Sequence, residues 1–223
     1  MSSESSTNQP VWIQDRDTVI AHDPNVEWRY QEPPDYSRTN QYLKQESKYN
    51  HLEGSLEAIV QNLVRAFEME ASFKTNPQQW VSIVADKFRM TTNGGTAYTA
   101  QDVADAGTYN LFLGDSEQYK ASEEDFESSA HLFHNAFPNG FLWELIEVLA
   151  GPPNVTFKWR HWGTFSGPYN EHAPTGETVE IVGVSIARVN DDLKILSLEH
   201  FFDSGSFLNK LATGCPFHGQ NNS

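Results

Sequence analysis

From Ser55 onward the apolar positions recur with helical spacing. Leu56, Ile59, Val60, Leu63, Val64 and Phe67 stand at i, i+3, i+4, i+7, i+8 and i+11. Gly54 breaks the chain before them and Ser55 supplies an N-cap, so a helix starts here, with Glu57, Gln61 and Arg65 turned to water. A second helix is predicted from Thr99 to about Leu113, with Asp102 completing a capping box. A third begins at Ser122, where Glu123, Glu124 and Asp125 meet the positive end of the helix dipole. Its apolar stripe is Phe126, Ala130, Phe133 and Phe137, and Pro138 ends it.

Beyond Phe141 the period falls to two. Strands are predicted over 142–149, 155–165, 178–189 and 194–203, with a turn at Gly151-Pro-Pro-Asn154 and a hairpin at Asn190-Asp-Asp192. Helices followed by an antiparallel meander make an α+β domain over 54–213, whose sheet buries one face against the helices. The preceding segment, 11–53, is polar, yet it carries Trp12, Trp28, Tyr30, Tyr36, Tyr42 and Tyr49. Such rings suit an arm docked on the domain. Residues 1–10 and 214–223 read as tails, the first disordered.

Parity divides the stretch Phe157-Lys-Trp-Arg-His-Trp162. Val155, Phe157, Trp159, His161, Gly163 and Phe165 share one face; Thr156, Lys158, Arg160, Trp162 and Thr164 share the other. The first face is apolar and faces the helices. In the next strand Val179, Ile181, Gly183, Ser185, Ala187 and Val189 share a face with small residues in its middle, which leaves room for packing or for a cavity. The last strand is mixed: Ile195, Ser197, Glu199, Phe201 and Asp203 on one side, and Leu196, Leu198, His200 and Phe202 on the other. If the first set points inward, Glu199, Asp203 and His161 converge in an apolar pocket, where burial raises carboxyl pKa values toward those of a general acid/base. The other outcome is that Asp203 caps a turn before Gly205 and His161 is a hydrogen-bonded core histidine.

Composition narrows the partners. The 223 residues carry 15 Lys plus Arg against 30 Asp plus Glu, a formal charge of −15, which repels phosphate backbones and argues against nucleic acid. The single cysteine, Cys215, cannot form an intrachain disulfide, and no apolar run reaches the length of a membrane span. With a polar N-terminus these features read as a cytoplasmic protein. Other constellations are weaker. Glu127, His131 and His134 lie at i, i+4, i+7, a spacing that suits a metal but is more often a solvated helix face. Cys215 and His218 lack a second pair for zinc. Asn93-Gly-Gly95 is a turn, with no Lys-Ser/Thr after it to make a phosphate loop, and there is no dinucleotide fingerprint.

The segment from Phe137 to Leu211 resembles the SnoaL-like polyketide cyclases. The likeness lies in "FP" before the first strand, "VTFKWRHWGTFSGPY", "APTGETVEIVGVSIARVNDD" and the closing "EHFFD". The arm and first helix resemble the pathogen-related proteins of plants in "WRYQEPPDY", "EGSLE", "VQN", "EME" and the terminal "GCPF". The resemblance covers about residues 26–218. It implies a nuclear-transport-factor-like cone: a curved antiparallel sheet with about three helices packed on its concave face. It also implies a cavity that works without metal or nucleotide cofactors. By position it makes Asp203 and His161 the acid/base residues, with Glu199 nearby. One departure is that the Glu-His-Trp such proteins carry before the final Asp is replaced here by Ser197-Leu198-Glu199.

The expectation is a cofactor-free cyclase or isomerase of a polyketide or terpenoid intermediate, acting by acid/base chemistry or by holding a reactive conformer, as a pericyclase does. Its apolar wall is expected to comprise Phe67, Tyr109, Phe133, Phe157, Trp159 and Phe201, with Ser185 among them. A binding protein with the same pocket and no chemistry is the alternative. The outer sheet face, with Lys158, Arg160 and Trp162, is a candidate homodimer surface.

Overall fold

The computed structural model describes residues 9–214. Most of the expected tails, including Cys215 and His218, lie outside the described residues. The chain forms an α+β unit with an open five-stranded sheet in the order β1-β5-β4-β3-β2. The strands are β1 (Arg89–Thr92), β2 (Leu142–Ala150), β3 (Asn154–Thr164), β4 (Thr178–Val189) and β5 (Ile195–Phe201). The last four form the expected antiparallel meander. The sheet is nonetheless mixed, because β1 pairs parallel with β5, Met90 opposite Leu198. Four residues are too short for alternation to announce a strand, even with the Asn93-Gly-Gly95 turn after them.

The helices are α1 (Arg16–Ala21), α2 (Ser37–Glu46), α3 (Leu56–Phe73), α4 (Ala100–Ala106), α5 (Thr108–Leu113), α6 (Phe126–Ala136) and α7 (Ser204–Leu211). Helix α3 starts where the periodicity places it: Ser55 accepts from the Ala58 N–H at 3.2 Å. The Thr99–Asp102 capping box is present, but the helix does not run on to Leu113. Gly107, at φ +82°, ends α4 and restarts the chain as α5, a conformation that favours glycine. The third predicted helix starts later than Ser122, because Asp125 is its cap and forms the box with Ser128. Residues Ala121–Glu123 make a 3₁₀ turn instead.

The main core lies between the inner sheet face and α3. Val64, Phe67 and Ala71 pack there with Leu145, Phe157, Trp159, Ala187 and Leu198. A second core, around Phe133, Phe137, Phe165, Tyr169, Phe207 and Leu211, joins α6 and α7 to the other end of the sheet.

The N-terminal arm wraps this body. Trp28 bridges to Lys74, Tyr30 and Tyr36 meet Phe73 edge-on, and the Trp12 indole donates to the Asp192 carbonyl at 2.9 Å. Helix α3 is thus covered on two sides, since Ala66 and Met69 pack against Val19 and the arm. A buried carboxylate fixes the far end of α3. Glu70 accepts from Lys74 Nζ, from the Val81 and Ser82 N–H groups and from the Ser82 hydroxyl. A carboxylate this deep is stable only when so fully hydrogen-bonded.

Strand β2 is an edge, and its free backbone groups are capped by polar side chains. Gln61 accepts from the Leu145 N–H and Arg65 donates to the Trp143 carbonyl. The helical pattern turns both to water; they face the sheet edge instead, because an exposed edge is a liability that helices cover. On the outer face α2 lays Leu43 over Leu142 and Trp162. Trp162 donates to Glu46, and Arg160 pairs with Glu144 and Glu180 while stacking 3.9 Å above the Trp162 ring. Trp162 and Arg160 are therefore buried by the chain's own arm. Of the surface considered for a homodimer, Lys158 alone remains partly exposed, with exposed Val182 on the neighbouring strand.

Candidate functional site

Between the inner sheet face, α3, α5, α6 and the arm lies a cavity of about 430 Å³. That is within the range of small-molecule sites, which runs from roughly 300 to 1,000 Å³. Strand register builds one wall. Phe157 pairs with Ser185, and Ser185 with His200, so these three side chains form a row across β3, β4 and β5. One step along, Trp159 pairs with Gly183, and beyond it His161 pairs with Ile181.

The small residues of β4 serve this wall. A Cβ added at Gly183 would lie 2.2 Å from Cζ2 of Trp159, so the indole lies flat across the glycine. The Trp159 Nε1–H donates to Ser185 Oγ at 2.7 Å, and Ser185 Oγ lies 2.8 Å from His200 Nδ1. With the indole donating, the simplest assignment has the Ser185 hydroxyl donate to Nδ1. That leaves the proton of neutral His200 on Nε2, a buried atom with no partner among the described residues. Burial, and secondly the nearby His161, lower the His200 pKa to about 3. At neutral pH His200 is an uncharged hydrogen-bond donor, a form of imidazole suited to polarising a carbonyl oxygen.

His161 is only partly buried. It stacks on Phe141, with centroids 5.0 Å apart, and meets Trp159 edge-on. Its Nε2 faces Glu68 Oε1 at 3.7 Å, and its Nδ1 has no partner among the described residues. Glu68 comes from α3, on the same face as Gln61 and Arg65 at i, i+4 and i+7. A carboxylate that orients an imidazole is the usual arrangement for moving a proton to or from a bound molecule.

The predicted site residues divide. His161, Phe157, Trp159, Phe67, Tyr109 and Ser185 line the cavity. Phe133 lies behind Tyr109, stacked on it at 4.3 Å. Asp203, Glu199 and Phe201 are not brought to the cavity. Asp203 is exposed and caps α7, accepting from the Ser206 N–H at 2.8 Å. Phe201 is 39 % exposed, and its neighbour Phe202 lines the cavity instead. The reason is a register shift between β4 and β5 at Arg188/Val189. Ile195 faces the core, but past the bulge the inward residues are Leu198, His200 and Phe202. A bulge adds one residue and so changes which parity faces inward.

Composition and alternation did not single out Glu68 or His200, nor the docked arm as a wall of the cavity. His200 was legible only as one of two faces of an ambiguous strand. Glu68 lay on what reads as the solvated face of an amphipathic helix. Arg16, Tyr30 and Tyr36 of the arm complete the cavity wall. Burial pushes the Tyr36 phenol up to about 12, so it remains a neutral hydroxyl.

Of the metal-spaced trio on α6, Glu127 is engaged by Tyr30 and lies 3.9 Å from Arg29. His134 reaches the cavity wall with its pKa lowered, by burial and then by His131. Among the described residues no helix is long and apolar enough to cross a membrane.

No protein-family model matches the chain. The chain is 35 % identical to the pathogen-related protein of Hordeum vulgare over 205 residues, which is 85 % of this chain and 87 % of that one. Among solved structures it is similar to a protein from Jannaschia sp. CCS1 assigned to the SnoaL-like polyketide cyclases. That match has a TM-score of 0.40 and 13 % identity, over 74 % of this chain and 100 % of the other. It is also similar to an NTF2-like protein from Burkholderia thailandensis E264, with a TM-score of 0.37 and 15 % identity, over 67 % of this chain and 94 % of the other. At these scores neither likeness bears on chemistry.

Proposed function

The chain belongs to the pathogen-related protein family, and from its cavity we propose that it takes up a small, largely apolar organic molecule and cyclises or isomerises it without a cofactor. One observation carries this: His161, with the Glu68 carboxylate facing it, and His200 share the wall of a cavity lined largely by aromatic and apolar side chains. In this reading His161, oriented by Glu68, moves the proton. Neutral His200, held through Ser185 and Trp159, donates from Nε2 to an oxygen on which charge develops. The rings of Phe157, Trp159 and Phe67 hold the carbon skeleton in a reactive conformer. A polyketide or terpenoid intermediate, apolar with a few carbonyl or hydroxyl oxygens, suits these partners.

Cyclisation and isomerisation conserve mass, which makes the test direct. The purified chain is incubated with fractionated extract from the cells that produce it, and products are followed by chromatography and mass spectrometry. The expected result is a compound consumed and an isomer of equal mass formed at a new retention time. The Glu68→Gln and His161→Gln proteins should form it far more slowly.

A second reading has one observation in its favour. At 3.7 Å the Glu68–His161 contact is longer than a hydrogen bond. A protein that only stores or carries its ligand would need no closer approach. It would return the bound compound unchanged in the same experiment, and that result would sink the catalytic reading. Catalytic contacts in empty sites are often long and tighten on binding, so the distance leaves the first reading the stronger.

A further inference from the structure

Two arginines stand on the cavity wall without the partners an acidic chain offers. The sequence has 30 Asp plus Glu against 15 Lys plus Arg, yet neither Arg16 of α1 nor Arg65 of α3 has a carboxylate within 4.0 Å among the described residues. Arg16 donates to Asn40 Oδ1 at 3.2 Å and stacks 3.9 Å from the centre of the Tyr36 ring. Arg65 donates to the Trp143 carbonyl at 2.9 Å, and its Nε is buried with no partner. A guanidinium carries five N–H donors, so most of each fork is uncommitted. Both residues line the large cavity, and both also line a cleft of about 60 Å³ beside it, where Asp15 and Asp17 stand on the arm side, so the head group is placed in the large cavity.

Bringing two like charges together out of water is unfavourable unless an anion joins them. The Arg65 pKa is lowered to about 10, first by burial and then by Arg16. It stays protonated at neutral pH, with half-buried Arg16 as a like charge nearby. Glu68 tempers it but faces His161 rather than closing on either guanidinium. We infer that the cavity takes apolar molecules bearing a carboxylate, and that Arg16 and Arg65 grip this head group at the arm side of the cavity. The inference rests on the reading of the cavity as a ligand site and adds the class of ligand. The match is chemical: a guanidinium fork meets a planar carboxylate with two parallel hydrogen bonds, and gains most where water is excluded. Because Arg16 belongs to the arm, a bound acid also ties the arm to the body.

The test uses the full chain and a matched pair of probes, dodecanoic acid and dodecan-1-ol. Each displaces the uncharged fluorophore N-phenyl-1-naphthylamine from the cavity. The acid is expected to bind at least tenfold more tightly than the alcohol at pH 8. In Arg65→Met and in Arg16→Met that ratio should fall toward one, and Arg65→Lys, which keeps the charge but not the fork, should lie between. Far-ultraviolet circular dichroism and fluorophore binding report that each variant remains folded. An acid-to-alcohol ratio near one in the wild type, or a ratio unchanged in both methionine variants, overturns the head-group assignment alone. Failure of the fluorophore and of both probes to bind the wild type overturns the ligand-cavity reading, and this inference with it.

Discussion

Glu68 Oε1 stands 3.7 Å from His161 Nε2, one residue supplied by helix α3 and the other by strand β3. The pair lies 93 positions apart in sequence and is assembled only when the helix packs on the sheet. Asp203, which the resemblance made the acid/base partner of His161, instead holds the first turn of α7.

If this pair moves the proton, Glu68→Gln and His161→Gln each lower the rate of isomer formation about 100-fold or more, the usual worth of a positioned acid/base. Ligand binding changes by only a few-fold. Combining the two costs little beyond the worse single variant, since residues acting as a unit are not additive. Single-turnover rates check this. Independent, multiplying effects would show that the two do not act together.

Asp203→Asn leaves turnover intact. Replacing it with alanine destabilises the fold by about 1 kcal/mol, the typical worth of an N-cap, with no change in product formation. Chemical denaturation read beside the isomer assay separates the two effects. A turnover defect at unchanged stability would return Asp203 to the chemistry.

Gly183→Ala is expected to destabilise by roughly 1–3 kcal/mol through overpacking. Its new methyl would lie against the Trp159 ring, which cannot slide freely while its N–H is held by Ser185. The same change should weaken ligand binding. Adding Trp159→Phe, a smaller ring without that hydrogen bond, should recover much of the lost stability. Urea midpoints of the single and double variants decide it, and a double variant no more stable than the single one would contradict the contact.

The folded state should lose stability as the pH falls from about 6.5 toward 3. His200 titrates at about 3 in the folded chain and near 6.5 once unfolded. Between those values the unfolded chain binds a proton that the folded chain refuses, so stability rises with pH across the window. His134, also lowered, acts with the same sign. Below about 4 the carboxylates Asp102 and Asp125 add to the loss. Backbone hydrogen bonds from Thr99 and Ser128 hold their pKa values down, so their protonation favours the unfolded chain. Urea midpoints at pH 4.5 and 6.5 therefore report the histidines, with a smaller part from Glu180, whose carboxylate Arg160 and Lys48 hold down against burial. The slope between them should flatten in His200→Gln, and a slope unchanged by that substitution would mean His200 is not held neutral.

The sequence by itself determined helix α3, the meander of β2 to β5, the caps at Ser55 and Thr99, and the inward faces of β3 and β4. Each of these is written in a short local pattern: a helical or twofold spacing of apolar residues, or a cap three residues from its partner. It thereby placed His161, Trp159, Phe157 and Ser185 on the cavity wall. Tertiary structure decided the rest. A bulge opposite Arg188 and Val189 chose His200 and Phe202 over Glu199 and Phe201, and a bulge depends on how two strands pair, which neither strand records alone. Gln61, Arg65 and Glu68 make an ordinary polar helix face. They became an edge cap, a cavity cation and a candidate catalytic carboxylate because the arm and strand β2 close over that face. The outer face of Arg160 and Trp162 was likewise claimed by α2. Polar side chains take their roles from what packs against them, and for these residues that partner lies tens of residues away in the chain.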